Sequence, residues 1–326
     1  MPTKIEWCQE TINPLPGCTK ISEGCQNCYA VRQANRFKGT EKYHGLVEHG
    51  NWTGQVNWWP DDLEKLVNWK KPRMVFINSM GDLFHPSVKD EWIDAVFRIM
   101  THPMSGANHH IYLLLTKRPE RILSGHINRF RNWPNVWLGV TAENQKRADE
   151  RIPILLQIPA AVRWVSFEPM LSYINIEPFL KDIVNGCTIN CNQTKHICRL
   201  HAGDCGKAYR SSNGIDWVVC GGESGPGARP MHPDWTRSLR DQCVAADVPF
   251  FFKSWGDWEP SEIKPEIDTC YHKISDGSIA AYTSTTKHHW WGGSWGDGKP
   301  LSVWVGKKKS GREIDGRTWD QYPVTE

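Results

Sequence analysis

Three cysteines, Cys18, Cys25 and Cys28, stand in the stretch GCTKISEGCQNCYA with the spacing C-x6-C-x2-C. Glycines flank two of them, and Tyr29 follows the last. Three thiolates offered from one loop form a metal-binding pattern, and two chemistries fit it. A zinc site closes with four ligands. The immediate loop has no fourth Cys or His, so His44 or His49 would have to return to complete one. A [4Fe-4S] cluster held by three cysteines keeps one iron open to an exogenous ligand, and an open iron is a place for chemistry.

A second group, Cys187-x3-Cys191-x6-Cys198-x6-Cys205, has His196 and His201 interleaved in a segment with little apolar periodicity. Such a loop needs a staple, either a four-cysteine zinc site, an auxiliary iron–sulfur cluster, or two disulfides formed after isolation. Thiolate softness alone does not choose between zinc and iron. The total of 11 cysteines is odd, and Met1 to Glu10 lacks an apolar signal core. Both facts argue against an extracellular disulfide scaffold and give a cytoplasmic expectation.

Elements must position these groups. Short apolar runs occur at Met74 to Ser79, Ile111 to Thr116, Val136 to Thr141, Arg163 to Phe167, Asp216 to Cys220 and Pro249 to Lys253. Helical stretches are expected at about Val88 to Met100, Pro119 to Phe130, Asn144 to Gln157 and Pro233 to Ala246. Strand–helix alternation with near-continuous apolar strands predicts a parallel sheet covered on both faces. Each run ends in polar residues: Ser79-Met80-Gly81-Asp82, Thr116-Lys117-Arg118, Thr141-Ala142-Glu143, Ser166-Phe167-Glu168, Gly221-Gly222-Glu223 and Lys253-Ser254. In a parallel barrel these ends converge on one rim, where such folds build their sites. Lys117, Glu143, Glu168, Glu223 and Lys253 all stand there, and buried charges persist when paired or used. The chain of 326 residues carries 39 basic and 36 acidic side chains, a net +3, with a mean hydropathy of −0.54 and no apolar run of membrane length. Near-neutral charge gives no support for bulk binding of a polyanion.

The stretch Trp7 to Ala30 resembles the phage Gp37/Gp68 family of three-cysteine-motif, radical-SAM-like proteins. The likeness extends through FINSMGDLFHP, LLTKRPER, GVTAEN, SFEPML, GGESGPGARPMHPDW, FFFKSWG and the closing GREIDGRTWDQYP, with the cysteine-rich stretch as an addition. The resemblance implies an incomplete parallel (β/α) barrel related to the TIM barrel. It implies a [4Fe-4S] cluster on Cys18, Cys25 and Cys28, with S-adenosylmethionine (SAM) chelating the fourth iron. Reduction would yield a 5′-deoxyadenosyl radical, and a reductant protein such as a flavodoxin or ferredoxin would supply the electron. The first interval departs from the commoner C-x3-C-x2-C spacing.

By the same resemblance Tyr29 either lies near the adenine or is a packing aromatic, and Ser79, Gly81 and Asp82 hold the amino group of SAM; Lys117, Glu143 and Glu223, at strand ends, are further candidate cofactor contacts. Gly221-Gly222-Glu223 lies on a late strand, so it is not equated with the superfamily's GGE motif. Its glycines can form a nest for a carboxylate or phosphate. Cys220 is either a hydrogen donor to a product radical or a small core residue. Glu168 and Lys253 either bind substrate or pair with each other.

The domain reading is a barrel over 1–256 with a cysteine-rich insertion at about 186–214, then a Trp/Gly/Lys-rich extension over 257–326 capping it. The extension contains His288-His289-Trp290-Trp291 and Lys307-Lys308-Lys309. It is either an aromatic and basic groove for a nucleic-acid strand or a cap with a solvated lysine turn. The functional expectation is a radical-SAM enzyme acting on a nucleotide, DNA or RNA base. The alternatives are radical modification of a peptide or small metabolite, and a non-catalytic, metal-stabilised nucleic-acid-binding protein.

Overall fold

Seven parallel strands form one sheet in strict chain order: β1 (Glu10–Ile12), β2 (Met74–Ile77), β3 (Ile111–Thr116), β4 (Val136–Thr141), β5 (Val162–Phe167), β6 (Trp217–Gly221) and β7 (Phe250–Ser254). The computed structural model describes residues 3, 5–130, 133–180, 214–260 and 302–324, together with the backbone of four short strands at 183–184, 209–210, 270–273 and 279–282. Parallel neighbours joined by crossovers, with β1 and β7 at opposite edges, make an incomplete α/β barrel. β1 is an addition to the six expected strands: its three residues, Glu10-Thr11-Ile12, are too few to show a period.

The helices are α1 (Tyr29–Arg36), α2 (Asp61–Asn68), α3 (Asp90–Thr101), α4 (Gln145–Leu155) and α5 (Pro233–Ala245). In α3, Ile93, Val96, Phe97 and Met100 recur at helical spacing and are buried. Asn144 caps α4 by accepting the Arg147 amide at 3.0 Å, and His232 with Pro233 opens α5. The expected helix from Pro119 to Phe130 is instead one short α turn, a π segment at Ile122–His126 and a 3-10 turn at Ile127–Phe130. Gly125 sits inside the π segment, and glycine is a poor helix former.

Strand parity divides the core. Trp7, Phe76, Leu113, Trp137, Trp164, Trp217, Val219 and Phe251 fill the concave side of the sheet. Val218, Cys220, Phe250, Phe252, Val165 and Phe167 face the helices. The period of two along each strand then carries the inward set to the rim: from Trp164 through Ser166 to Glu168, from Leu113 through Leu115 to Lys117, and from Phe251 to Lys253. Gly139 belongs to the inward set because a Cβ there would lie 2.4 Å from the Trp164 ring.

The last described residues run along the sheet edge. Asp320 bridges Phe251 antiparallel, and the Phe252 amide donates to the Trp319 carbonyl at 2.8 Å, so the tail covers the free edge of β7. The stretch from His288 to Trp291 and the cysteines at 187, 191, 198 and 205 lie outside the described residues.

Candidate functional site

The three-cysteine loop lies across the C-terminal ends of the strands, beside a cavity of about 1010 Å³. Cys18, Cys25 and Cys28 all line that cavity as free thiols. So do Tyr29, the first residue of α1, and Ser79, Gly81, Asp82, Lys117, Glu168, Glu223 and Lys253, drawn from the ends of β2, β3, β5, β6 and β7. The convergence expected of a parallel barrel is therefore present for all but two of the candidate catalytic, cofactor-binding and cluster-binding residues on the described part of the chain.

The two exceptions have physical reasons. Cys220 has no exposed surface, contacts the Met170 sulfur at 3.7 Å, and packs between sheet and helices. Trp217 and Val219 point inward, so parity turns Cys220 outward, and it does not serve the mouth as a hydrogen donor. Burial also pushes its thiol well above the ordinary range. Glu143 lies beneath the loop instead of facing the cavity. It is fully buried, accepts from the Ser22 hydroxyl at 2.5 Å, and pairs with Lys117 at 3.1 Å and Arg151 at 2.9 Å. Burial raises its carboxyl pKa, but the two cations and the hydroxyl outweigh that and leave it below the usual value. Gly24 rests directly on it, since a Cβ at that position would come within 2.4 Å of the Glu143 Cγ.

Asp82 is equally engaged. One carboxylate oxygen accepts from Thr116 at 2.8 Å and the Phe84 amide at 3.0 Å, and the other from Arg118 at 2.9 Å and the Lys117 amide at 3.1 Å. Ser79 accepts from Thr11 at 3.0 Å and donates to Asn13 at 3.1 Å, while its carbonyl accepts the Tyr29 hydroxyl at 2.7 Å. Gly81 packs against the Leu15 carbonyl, where a Cβ would lie at 2.3 Å.

On the cavity floor Glu168 pairs with Lys253 at 2.7 Å and accepts from the Trp7 indole at 3.0 Å and from Ser166 at 3.2 Å. Burial lowers the Lys253 ammonium pKa, but Glu168 raises it further, so the lysine stays charged. Mutual pairing is thus realised for these two, within the cavity wall.

The glycine turn after β6 is not a vacant nest. The Gly222 amide donates to the Ser254 carbonyl at 2.9 Å, and the Gly225 amide to the Asp257 carboxylate at 2.8 Å. Gly222 is required by close approach, since a Cβ would lie 2.1 Å from the Trp255 carbonyl oxygen. Glu223 accepts from Asn27 at 3.0 Å and from Arg229 at 2.7 Å, tying this turn to the cysteine loop.

The thiols have unlike surroundings. Burial pushes Cys18 up to about 12, with Asp82 adding to the rise and Arg118 opposing it. Burial also raises Cys25, but Lys117 and the Ser22 hydroxyl bring it below the ordinary thiol value. Cys28 immediately precedes the first residue of α1.

The donor set suits an iron–sulfur group with an open corner: three free thiols on one cavity, with neither His44 nor His49 lining it. Among the described residues no three Cys, His, Asp or Glu side chains gather around a single-ion position.

Residues that the sequence reading passed over also line the cavity, among them Trp7, Asn13, Arg32, Arg118 and Asp257. Arg118 had a signal in its strand-end position after Thr116. Trp7 and Arg32 had none, because their placement comes from contacts with residues distant in the chain.

Fold and site define an incomplete parallel α/β barrel with a three-thiol cavity at its C-terminal rim. The chain belongs to the family described as "Protein of unknown function (DUF5131)", which matches residues 2–323. No curated protein sequence matches it. Among solved structures it is similar to a spore photoproduct lyase mutant, at 10% identity and a TM-score of 0.40, covering 95% of this chain and 71% of that one. A spore photoproduct lyase complexed with dinucleoside spore photoproduct gives 9% identity and a TM-score of 0.37, covering 82% of this chain and 66% of that one. Among the described residues no helix is long and apolar enough to cross a membrane.

Proposed function

We propose that the protein is a radical-SAM enzyme that modifies or repairs a nucleotide or nucleic-acid base. The observation that carries this reading is the placement of Cys18, Cys25 and Cys28 on the same cavity as the polar ends of five strands. When bound there, a three-cysteine [4Fe-4S] cluster with SAM supplies a reducing electron and a hydrogen-abstracting radical.

The chain's own residues bind, orient and shield. Cys18, Cys25 and Cys28 would hold the cluster, and the Glu143–Lys117–Arg151 network beneath the loop holds its backbone in place. Ser79 presents a hydroxyl oxygen as an acceptor for an amino group; Asn13 Oδ1 is already engaged by the Ser79 hydroxyl and the Met80 amide, and Asp82 by Arg118. Tyr29 offers a ring face toward the cavity while its hydroxyl is held by Ser79. Glu168 and Lys253, with the Trp7 indole, form a paired polar patch in the wall of the same cavity.

Support for an anionic substrate comes from Lys20 and Arg32, which line the cavity. They donate to the Asn51 side chain at 3.0 Å and the Ser224 carbonyl at 2.9 Å, and among the described residues neither meets a carboxylate. A phosphate beside a nucleobase would complement them.

The test is anaerobic reconstitution with iron and sulfide, followed by reduction in the presence of SAM. The expected result is 5′-deoxyadenosine, lost in Cys25→Ala. Cleavage that persists in that variant removes the site. Deuterium tracing from labelled nucleotides into 5′-deoxyadenosine then tests the substrate class, and transfer from a peptide alone would overturn the nucleotide assignment.

A further inference from the structure

We infer that Arg118 is a positioning residue that presents Cys18 to the iron–sulfur group and sets the group's reduction potential; this rests on the cluster reading above. The guanidinium is buried, at 5% exposure, and forks in two directions. One nitrogen reaches the Asp82 carboxylate at 2.9 Å and the Cys18 sulfur at 3.8 Å. The other reaches the Thr19 hydroxyl at 2.8 Å and the Thr19 carbonyl at 3.1 Å. Asp82 is itself fixed by Thr116 and two backbone amides, so the fork cannot swing away without stranding a buried carboxylate.

The long first interval of the cysteine motif acquires a physical explanation from this contact. Of its six residues, Thr19 is held by Arg118 and Ser22 by Glu143, while Gly24 packs on Glu143. The interval is a tether anchored at successive strand ends, and it brings Cys18 and Cys25 to the cavity from separate anchors. Only Cys18 has a guanidinium N–H directed at its sulfur among the described residues. Hydrogen bonds to ligand sulfurs and nearby positive charge both stabilise the more reduced, more negative cluster, so they raise its potential. Lysine keeps the charge but cannot reproduce the fork.

The experiment compares anaerobically reconstituted full-length wild type with Arg118→Gln, Arg118→Lys and Arg147→Gln. Iron content, the electron paramagnetic resonance signal of the reduced cluster and its midpoint potential are measured without substrate. The expected result is a more negative midpoint and an altered signal in Arg118→Gln, a smaller shift in Arg118→Lys, and wild-type values in Arg147→Gln, which frees Glu23 but touches no cysteine. Loss of bound iron from a folded Arg118→Gln chain also supports the presenting role. If Arg118→Gln fails to fold, Arg118→Lys decides alone. A wild-type midpoint and signal in an iron-loaded Arg118 variant overturns the inference while leaving the functional reading intact. A wild-type chain that takes up no iron–sulfur chromophore defeats the functional reading and the inference together.

Discussion

Glu143 shows how one side chain can organise a loop that lies more than a hundred residues away in sequence. Its carboxylate joins Lys117, Arg151 and the Ser22 hydroxyl, and it has no exposed surface. Glu143→Ala removes the partner of two cations, one of them buried, and is expected to cost about 3–5 kcal/mol in urea unfolding. Gly24→Ala should cost about 1–3 kcal/mol by overpacking the same spot and should lower iron uptake on reconstitution. His85 adds a pH dependence. Burial, with Arg118 assisting, holds its imidazole down at about 4 from 6.5. The folded chain therefore keeps it neutral where the unfolded chain takes up a proton. That stability is fully present above about pH 6.5 and is lost as pH falls toward 4, about 3 kcal/mol in all. Unfolding curves at pH 7 and 4.5 should diverge less in His85→Gln; equal divergence would show that His85 is not the titrating group. The polar residue types at the rim were legible in sequence. The Glu168–Lys253 pair was one of the readings offered, whereas the bonds of Glu143 to Ser22 and of Glu223 to Asn27 were not legible, because both partners come from the cysteine loop, distant in the chain.

At the scale of elements, the sequence told where strands lie but not which way each side chain points. Val136–Thr141 and Trp217–Gly221 are buried at every position, so neither carries an alternating pattern from which parity could be read. That is why Cys220 could be placed at a strand end yet not on a face. Helix α1 was missed because polar residues such as Arg32, Gln33 and Arg36 dominate it, and only Ala30, Val31 and Ala34 are buried. The tail on β7 was equally hidden, since its bonds are to backbone. Trp319, 9% exposed, stacks edge-on against Phe250 and lies under the Arg317 guanidinium at 4.1 Å. Trp319→Ala should therefore cost about 3–5 kcal/mol and loosen the strand that shields the edge. A fall in the urea midpoint together with concentration-dependent light scattering is the expected result. An unchanged midpoint would mean that the tail contributes little to holding β7.

Across the whole molecule, the sheet order agrees with the chain order throughout; the parallel sheet was legible in the strand–helix alternation, while its form as an incomplete barrel was implied by the family resemblance. The second cysteine group remains a chemical proposal on residues outside the described set. Metal analysis should show less zinc or iron in a Cys191→Ala/Cys198→Ala double variant than in wild type, and unchanged content would remove that group as a metal site. The two ends of the described chain meet different parts of the barrel. Thr3 and Ile5 line the cavity, and the Trp7 indole reaches Glu168 across its floor. Tyr322 instead stacks on Trp217, the first residue of β6, at 5.3 Å. An affinity tag joined ahead of Thr3 would thus start beside the cavity, whereas one joined beyond Tyr322 would start near the beginning of β6, outside the cavity lining.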